Sequence, residues 1–212
     1  MTEEKELKDR ILLKAEEMFL QFGYSKVTME EIASGLGMSK KTLYKYFPSK
    51  ESLIRELLYN RQCEAEDQIN AIWAEEGLDF VGKLKKMMDF IGRRSTRIRG
   101  PLFEDLQKNI PDIWNEIHDI KKMKGLEKAI NLFNAGVETG IFRNDIERDI
   151  IILVYSNAVQ GIINPETLSQ LPISGNQAIE MIFKVLFEGI LTEEGRSKYI
   201  SYEKKENQPN QK

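Results

Sequence analysis

The chain reads as all-α, with a compact three-helix N-terminal segment followed by a larger helical body. Apolar residues recur at three- and four-residue spacing nearly throughout the 212 residues. No alternating apolar run persists, and no Asn-Gly or Asp-Gly hairpin turn marks a strand pair. Gly23, Gly37, Gly100 and Gly140, with Pro48, Pro101, Pro111 and Pro165, fall where the helical periods break.

The elements follow from that punctuation in order. Leu7, Ile11, Ala15, Met18, Phe19 and Phe22 form the inward stripe of a first helix, which Gly23 stops. Thr28 with Glu31 is a capping box opening a second helix that buries Ile32, Ala33 and Leu36. Gly37 supplies the backbone freedom of a sharp turn, and Ser39 caps a third helix carrying Leu43 and Phe47. Pro48 forbids its continuation. Ser49 opens a fourth helix through Leu53 and Leu57 to about Trp73. Phe80 to Ile91 is an amphipathic helix, and Gly100-Pro101 and Ile110-Pro111 bracket a short one. A long helix is expected over Asp112 to Thr139, stopped by Gly140. Asn144 with Glu147 predicts the cap of the next, ending at Asn164-Pro165, and Ser174 with Gln177 that of the last, running to about Leu191. The residues from Ser201 have no apolar run and read as a disordered tail. The expected organisation is therefore 1–48, 49–200 and a tail over 201–212.

Composition narrows the function classes. With 41% hydrophobic and 31% charged residues, the chain has the make-up of a soluble globular protein. The single cysteine, Cys63, cannot form an internal disulfide, and the acidic first residues lack the pattern of a signal peptide. No apolar run reaches membrane-spanning length, so no membrane partner and a cytoplasmic location are expected. No paired acid and base, nucleophile motif, phosphate loop or metal-ligand cluster appears. The expectation is thus no catalytic residue, no metal, no cofactor and no enzyme.

Against a net charge of −3, Ser39 to Lys50 holds four lysines and no acid. Two short helices joined by a tight turn, the second with buried Leu43 and Phe47, suit a helix-turn-helix whose exposed face enters the major groove. Lys40, Lys41, Thr42, Tyr44, Lys45 and Tyr46 are then candidates to face duplex DNA. Lysines neutralise phosphates or reach guanine acceptors, threonine offers a methyl and a hydroxyl, and tyrosines hydrogen-bond phosphate oxygens. Backbone amides at the helix starts capped by Thr28 and Ser49 add phosphate sites. A run of lysines alone is more often a solvated face; here it stands together with capping box, turn glycine and stop proline.

The ordered run G-Y-x-x-V-T-M-E-E-I-A-x-x-L-G-M-S-K-K-T-L-Y-K-Y-F-P-S-K-E-S-L resembles the DNA-binding domain of the TetR family of bacterial transcriptional regulators, from about Ile11 to Leu57. The resemblance implies a phosphate contact for Thr28 and for Lys50. It implies base or adjacent phosphate contacts for Thr42 and Tyr44, and a backbone contact for Tyr46. Lys41 departs from the family pattern, which has a small residue there; a long cation at that position can make its own contact. Ser39, Lys40 and Lys45 complete the DNA-binding set.

In the body, Ile150 to Tyr155 and the residues Ile179 to Leu191 leave little polar arc, more apolar surface than packing within one chain requires. Gly161 and Gly189 suit close helix approach. The helices around Ile146–Ile163 and Asn176–Leu191 are therefore expected to form a homodimer, as the family's last two helices do. Met87, Met88, Ile91, Phe103, Trp114, Ile117, His118, Phe133, Tyr155 and Gln160 are candidates to line a small-molecule effector pocket, although residues of this kind are more often plain core than pocket. Arg93, Arg94, Arg97 and Arg99 could hold an anionic ligand or simply complement a helix end. The expected whole is a helix-turn-helix domain followed by a helical ligand-binding and dimerisation domain: a repressor that grips a pseudo-palindromic operator as a dimer and is released by an effector. The alternative is a helix-turn-helix protein with no small-molecule ligand, regulated by protein contacts.

Overall fold

In the computed structural model, residues 3–96, 101–173 and 175–206 are described. Eleven helices occupy them: α1 (Glu3–Phe22), α2 (Met29–Gly35), α3 (Lys40–Tyr46), α4 (Lys50–Ala74), α5 (Phe80–Thr96), α6 (Pro101–Asn109), α7 (Pro111–Glu138), α8 (Arg148–Ile162), α9 (Pro165–Ser169), α10 (Gly175–Ile190) and α11 (Glu193–Glu206). The fold is all-α. Among the described residues the only β-type pairing is a single bridge between Phe142 and Leu191.

The chain divides into two compact units, Met1–Asp67 with Arg97–Lys122, and Gln68–Thr96 with Met123–Lys212. The first unit exceeds the expected 1–48 segment because α6 packs on α1 and contributes Leu102 and Leu106 to the core of Ile11, Phe19, Ile32, Leu43 and Phe47. Along α1 the buried residues are Ile11, Leu12, Ala15 and Phe19. Phe22, expected inward, is exposed: the chain turns at Gly23 (φ 88°), and Tyr24 folds back with its ring 5.6 Å from that of Phe19.

The second unit is built around Phe142. Its ring stands edge-on to Phe80 at 5.2 Å and lies 5.4 Å from Phe187 and 6.0 Å from Phe133. Val81, Leu84, Met87, Met88, Ile179 and Phe183 complete the cluster. The turn that delivers Phe142 begins at Gly140 (φ 70°), and the Gly136 carbonyl accepts from both Ile141 and Phe142 N–H at 2.9 Å.

Two expectations are corrected by the structure. The Asn144–Glu147 capping box does not form: α8 starts after Glu147, which makes no side-chain cap bond. The approach to α8 is fixed from elsewhere, because Arg143 N–H donates to the Ile190 carbonyl (2.8 Å) while its guanidinium pairs with Asp145. Nor is the chain irregular over 201–206, since α11 continues to Glu206, and the rest of the expected tail, 207–212, lies outside the described residues. Tyr199 and Tyr202, three residues apart, pack on the second unit's core and carry the helix past the expected boundary. The Ser174 cap lies outside the described residues. Asn164 does cap a helix, α9, accepting from Thr167 N–H at 2.9 Å.

Candidate nucleic-acid interface

The head is assembled from two short helices whose ends are tied by local hydrogen bonds. Thr28 Oγ1 accepts from Glu31 N–H (3.2 Å), while the Glu31 carboxylate accepts from Thr28 N–H (2.8 Å) and from the Thr28 hydroxyl (2.9 Å). Those bonds from Thr28 hold the Glu31 carboxyl below its usual range. Gly37 at φ 66° turns the chain sharply between α2 and α3. The Ser39 hydroxyl then accepts from Thr42 N–H at 3.0 Å and lies 2.8 Å from the Thr42 hydroxyl. At the head of α4 a serine pair performs the same reciprocal cap, Ser49 N–H to Ser52 Oγ and Ser52 N–H to Ser49 Oγ, at 3.1 and 3.0 Å.

Leu43 and Phe47 are completely or almost completely buried, so α3 is anchored by one face. Lys40, Lys41, Tyr44 and Lys45 are exposed on the rest of it, as are Thr28 and Ser39. Thr42 is half-buried with its hydroxyl engaged by Ser39, and Tyr46 is half-buried against the core. Lys40 pairs with Glu30, and its ammonium stands 5.8 Å from the Tyr44 ring centroid. Lys45 stands 5.8 Å from the Tyr46 ring. Lys41 has no ion-pair partner among the described residues, which leaves its charge available on the surface.

Lys50 is set differently. Its ammonium lies 4.2 Å from the centroid of the Tyr24 ring, a cation–π contact that fixes the side chain beside the α1–α2 turn. Burial pulls its pKa down, opposed by the charges of Asp105 and Glu31. Tyr24 beneath it is pushed up to about 12 by burial, with Glu51 and Asp105 adding to the shift. Asp105 on α6 accepts from Ser25 N–H and, at 2.5 Å, from the Ser25 hydroxyl, tying α6 to that same turn. The seat of Lys50 on Tyr24 and the Ser25–Asp105 link do not stand out in the sequence, although Tyr24 itself belongs to the G-Y-x-x-V-T run. The partners of the link are 80 positions apart, and no local pattern joins them.

The ten candidate effector residues divide between the units. Met87, Met88 and Phe133 are buried in the second unit's core, with Ile91 and Tyr155 packed against it. Burial pushes the Tyr155 hydroxyl up to about 12. Trp114 and Ile117 pack on the first unit's core. His118, its ring stacked 6.5 Å from that of Trp114, is exposed, as is Gln160. The Phe103 side chain lies outside the described residues, as do Arg97, Arg99 and the side chain of Arg94. Arg93 is exposed, 3.8 Å from Asp89.

On α8 and α10, which pack together, Ile150, Leu153, Val154, Met181 and Val185 are exposed, Val185 to 73%. A Cβ added at Gly161 or Gly189 would meet no atom within 4 Å, so neither glycine is used for close approach within the chain. No described helix is long and apolar enough to cross a membrane.

Residues 11–57 match the family of bacterial regulatory proteins described as the tetR family. Over 185 residues the chain is 27% identical to the HTH-type transcriptional regulator YvaF of Bacillus subtilis, covering 87% of this chain and 96% of that one. It is 25% identical over 152 residues to the HTH-type transcriptional repressor KstR2 of Mycobacterium tuberculosis H37Rv, covering 63% and 68%. Among solved structures, a transcriptional regulator from Cytophaga hutchinsonii shares the fold with a TM-score of 0.65 at 22% identity, over 86% of this chain and 97% of that one.

Proposed function

From the match of residues 11–57 to the tetR family, we propose that the chain is a transcriptional repressor that binds a pseudo-palindromic operator as a homodimer and is released by a small-molecule effector. The observation that carries the DNA-binding half is α3 itself: two buried anchors, Leu43 and Phe47, beneath an exposed arc of Lys41, Tyr44 and Lys45. Such an arc enters a major groove with its tyrosine and lysines toward phosphates and base edges. Thr28, Ser39, Lys40, Thr42, Tyr46 and Lys50 frame it, with Lys50 pre-positioned by Tyr24. The exposed apolar residues of α8 and α10 support the dimer, since a lone head reads only one half-site. YvaF and KstR2 are regulators, and the role proposed here is likewise non-enzymatic and cytoplasmic, where the DNA is.

Effector release follows linkage. A ligand weakens operator binding only through its unequal affinity for the two states, typically about 1–3 kcal/mol. Met87, Met88, Ile91, Phe133 and Tyr155 support an effector site in the second unit, where a thioether and aromatic wall can adapt to an apolar ligand.

Selection of duplex sites from a random pool tests the reading. Two inverted half-sites one helical turn apart are expected. Recovery of a single half-site would sink the dimer, and recovery of no motif would sink the sequence-reading role.

A further inference from the structure

The ammonium of Lys128, on α7, is shielded from solvent and has no hydrogen-bond partner. No carboxylate among the described residues lies within ion-pair distance of it. A shielded ammonium with its donors unmade is heavily disfavoured, because water is removed and nothing replaces it. The unmade donors leave room for a partner from outside the chain.

Its surroundings argue for an outside partner. Lys128 belongs to the run K-K-M-K-G-L-E-K over 121–128, in which four lysines accompany a single acid, Glu127, and Glu127 is exposed. The local potential therefore favours an anion. One turn further along the same helical face, Leu132 packs on the cluster of Met87, Met88, Phe133 and Phe142. Lys128 thus lies one helical turn from a residue of the apolar core. Gly125, one turn earlier, has no atom within 4 Å of where a Cβ would lie, so the helix is unencumbered there.

We propose that Lys128 is the anion-binding residue of a ligand site in the second unit, and that its ligand is an organic monoanion, a carboxylate on an apolar body. One shielded ammonium balances one charge. A polyphosphate would bring further charges for which the described core offers no partner, whereas a carboxylate with an apolar remainder suits a lysine one helical turn from Leu132 and the apolar cluster on which Leu132 packs. This rests on reading the second unit as the effector-binding part of the regulator.

The test uses the full chain and three matched probes, 4-phenylbutyrate, 4-phenylbutan-1-ol and 4-phenylbutylamine, measured by calorimetric titration and thermal shift. The wild-type protein is expected to bind the carboxylate in preference to the alcohol and to exclude the amine. Lys128→Met keeps the aliphatic stem and removes the charge; it should weaken the carboxylate about tenfold or more while leaving the alcohol unchanged. Lys128→Arg should retain most of the carboxylate affinity. Equal binding of carboxylate by wild type and Lys128→Met overturns the proposal, as does wild-type binding that fails to prefer the carboxylate, or no carboxylate binding at all. The wild-type comparison stands even if a variant folds poorly. Operator affinity measured on the same samples separates the two readings: a wild-type protein that binds its operator but not the carboxylate sinks only this site. A protein that binds the carboxylate without any change in operator affinity keeps the site and sinks the effector role.

Discussion

Lys50 and Asp105 act on the same few residues of the α1–α2 turn in different ways. The Lys50 ammonium is seated on Tyr24, so its position is set before any phosphate arrives and little side-chain freedom remains to be given up on binding. Lys50→Ala should weaken binding to all duplex sequences alike and lower the salt slope of log K by about one, for the single phosphate no longer neutralised. An unchanged slope in titrations at several salt concentrations would remove Lys50 from the interface. Asp105 is held below its ordinary value of 3.8: burial works the other way, but hydrogen bonds from Ser25 and Asn109 outweigh it, and Lys50 adds to them. A carboxyl lowered in the folded state contributes stability that is fully present above its unfolded pKa and is lost as pH falls through the folded one. Asp105→Asn should therefore unfold more readily than wild type at neutral pH, with the difference shrinking below about pH 3.8 in denaturation melts. A gap independent of pH would assign Asp105 a packing role only.

Individual helices are placed by contacts that admit no extra atom. A Cβ at Gly136 would collide with the ring of Phe142, the residue on which the second unit converges. Phe142 cannot swing aside easily, because it is fenced by Phe80, Phe133 and Phe187 and its neighbours are bonded to Ile190 and Gly136. Gly136→Ala should cost about 1–3 kcal/mol in urea unfolding, the range for overpacking a filled core. A neutral result would mean the ring has another well-packed seat. Helix caps show which elements can be read from a sequence and which cannot. Thr28–Glu31 is a four-residue event whose geometry is dictated locally, and it forms. Asn144–Glu147 has the same spacing and does not, because the bonds from residues 141–143 to residues 190–192 impose a different backbone. The last helix is hidden in the sequence for a related reason: of Tyr199, Ile200 and Tyr202 the two tyrosines pack on the core, and their value depends on a surface supplied by distant segments.

At the scale of the molecule, reading two half-sites requires two heads held one turn of duplex apart. In the dimer proposed above, the exposed apolar residues of α8 and α10 would join the two copies. Val185, on the outer face of α10, is the most exposed of them. A charge buried there without a partner strongly opposes association. Val185→Glu should shift the protein from dimer to monomer by at least about tenfold in dissociation constant, measured by light scattering across a dilution series. The second-unit core should be untouched, so the melting behaviour of the diluted wild-type protein is the reference. A Val185→Glu dimer of wild-type strength would move the interface elsewhere.

Features that depend on neighbours along the chain are legible before any packing is known: the all-α class, the Thr28 and Ser39 caps, the Gly37 turn, the buried pair Leu43 and Phe47, and with them the helix-turn-helix. Helical period and cap chemistry act over three or four residues, and so they survive in a linear text. Packing alone settles the seat of Lys50 on Tyr24, the tie from Asp105 to Ser25, the convergence on Phe142 and the stranded ammonium of Lys128. Each of these joins segments far apart in the chain, or depends on which atoms are missing from a neighbourhood. Partnership between distant segments is a property of a packed volume, and no local spacing in the sequence encodes it.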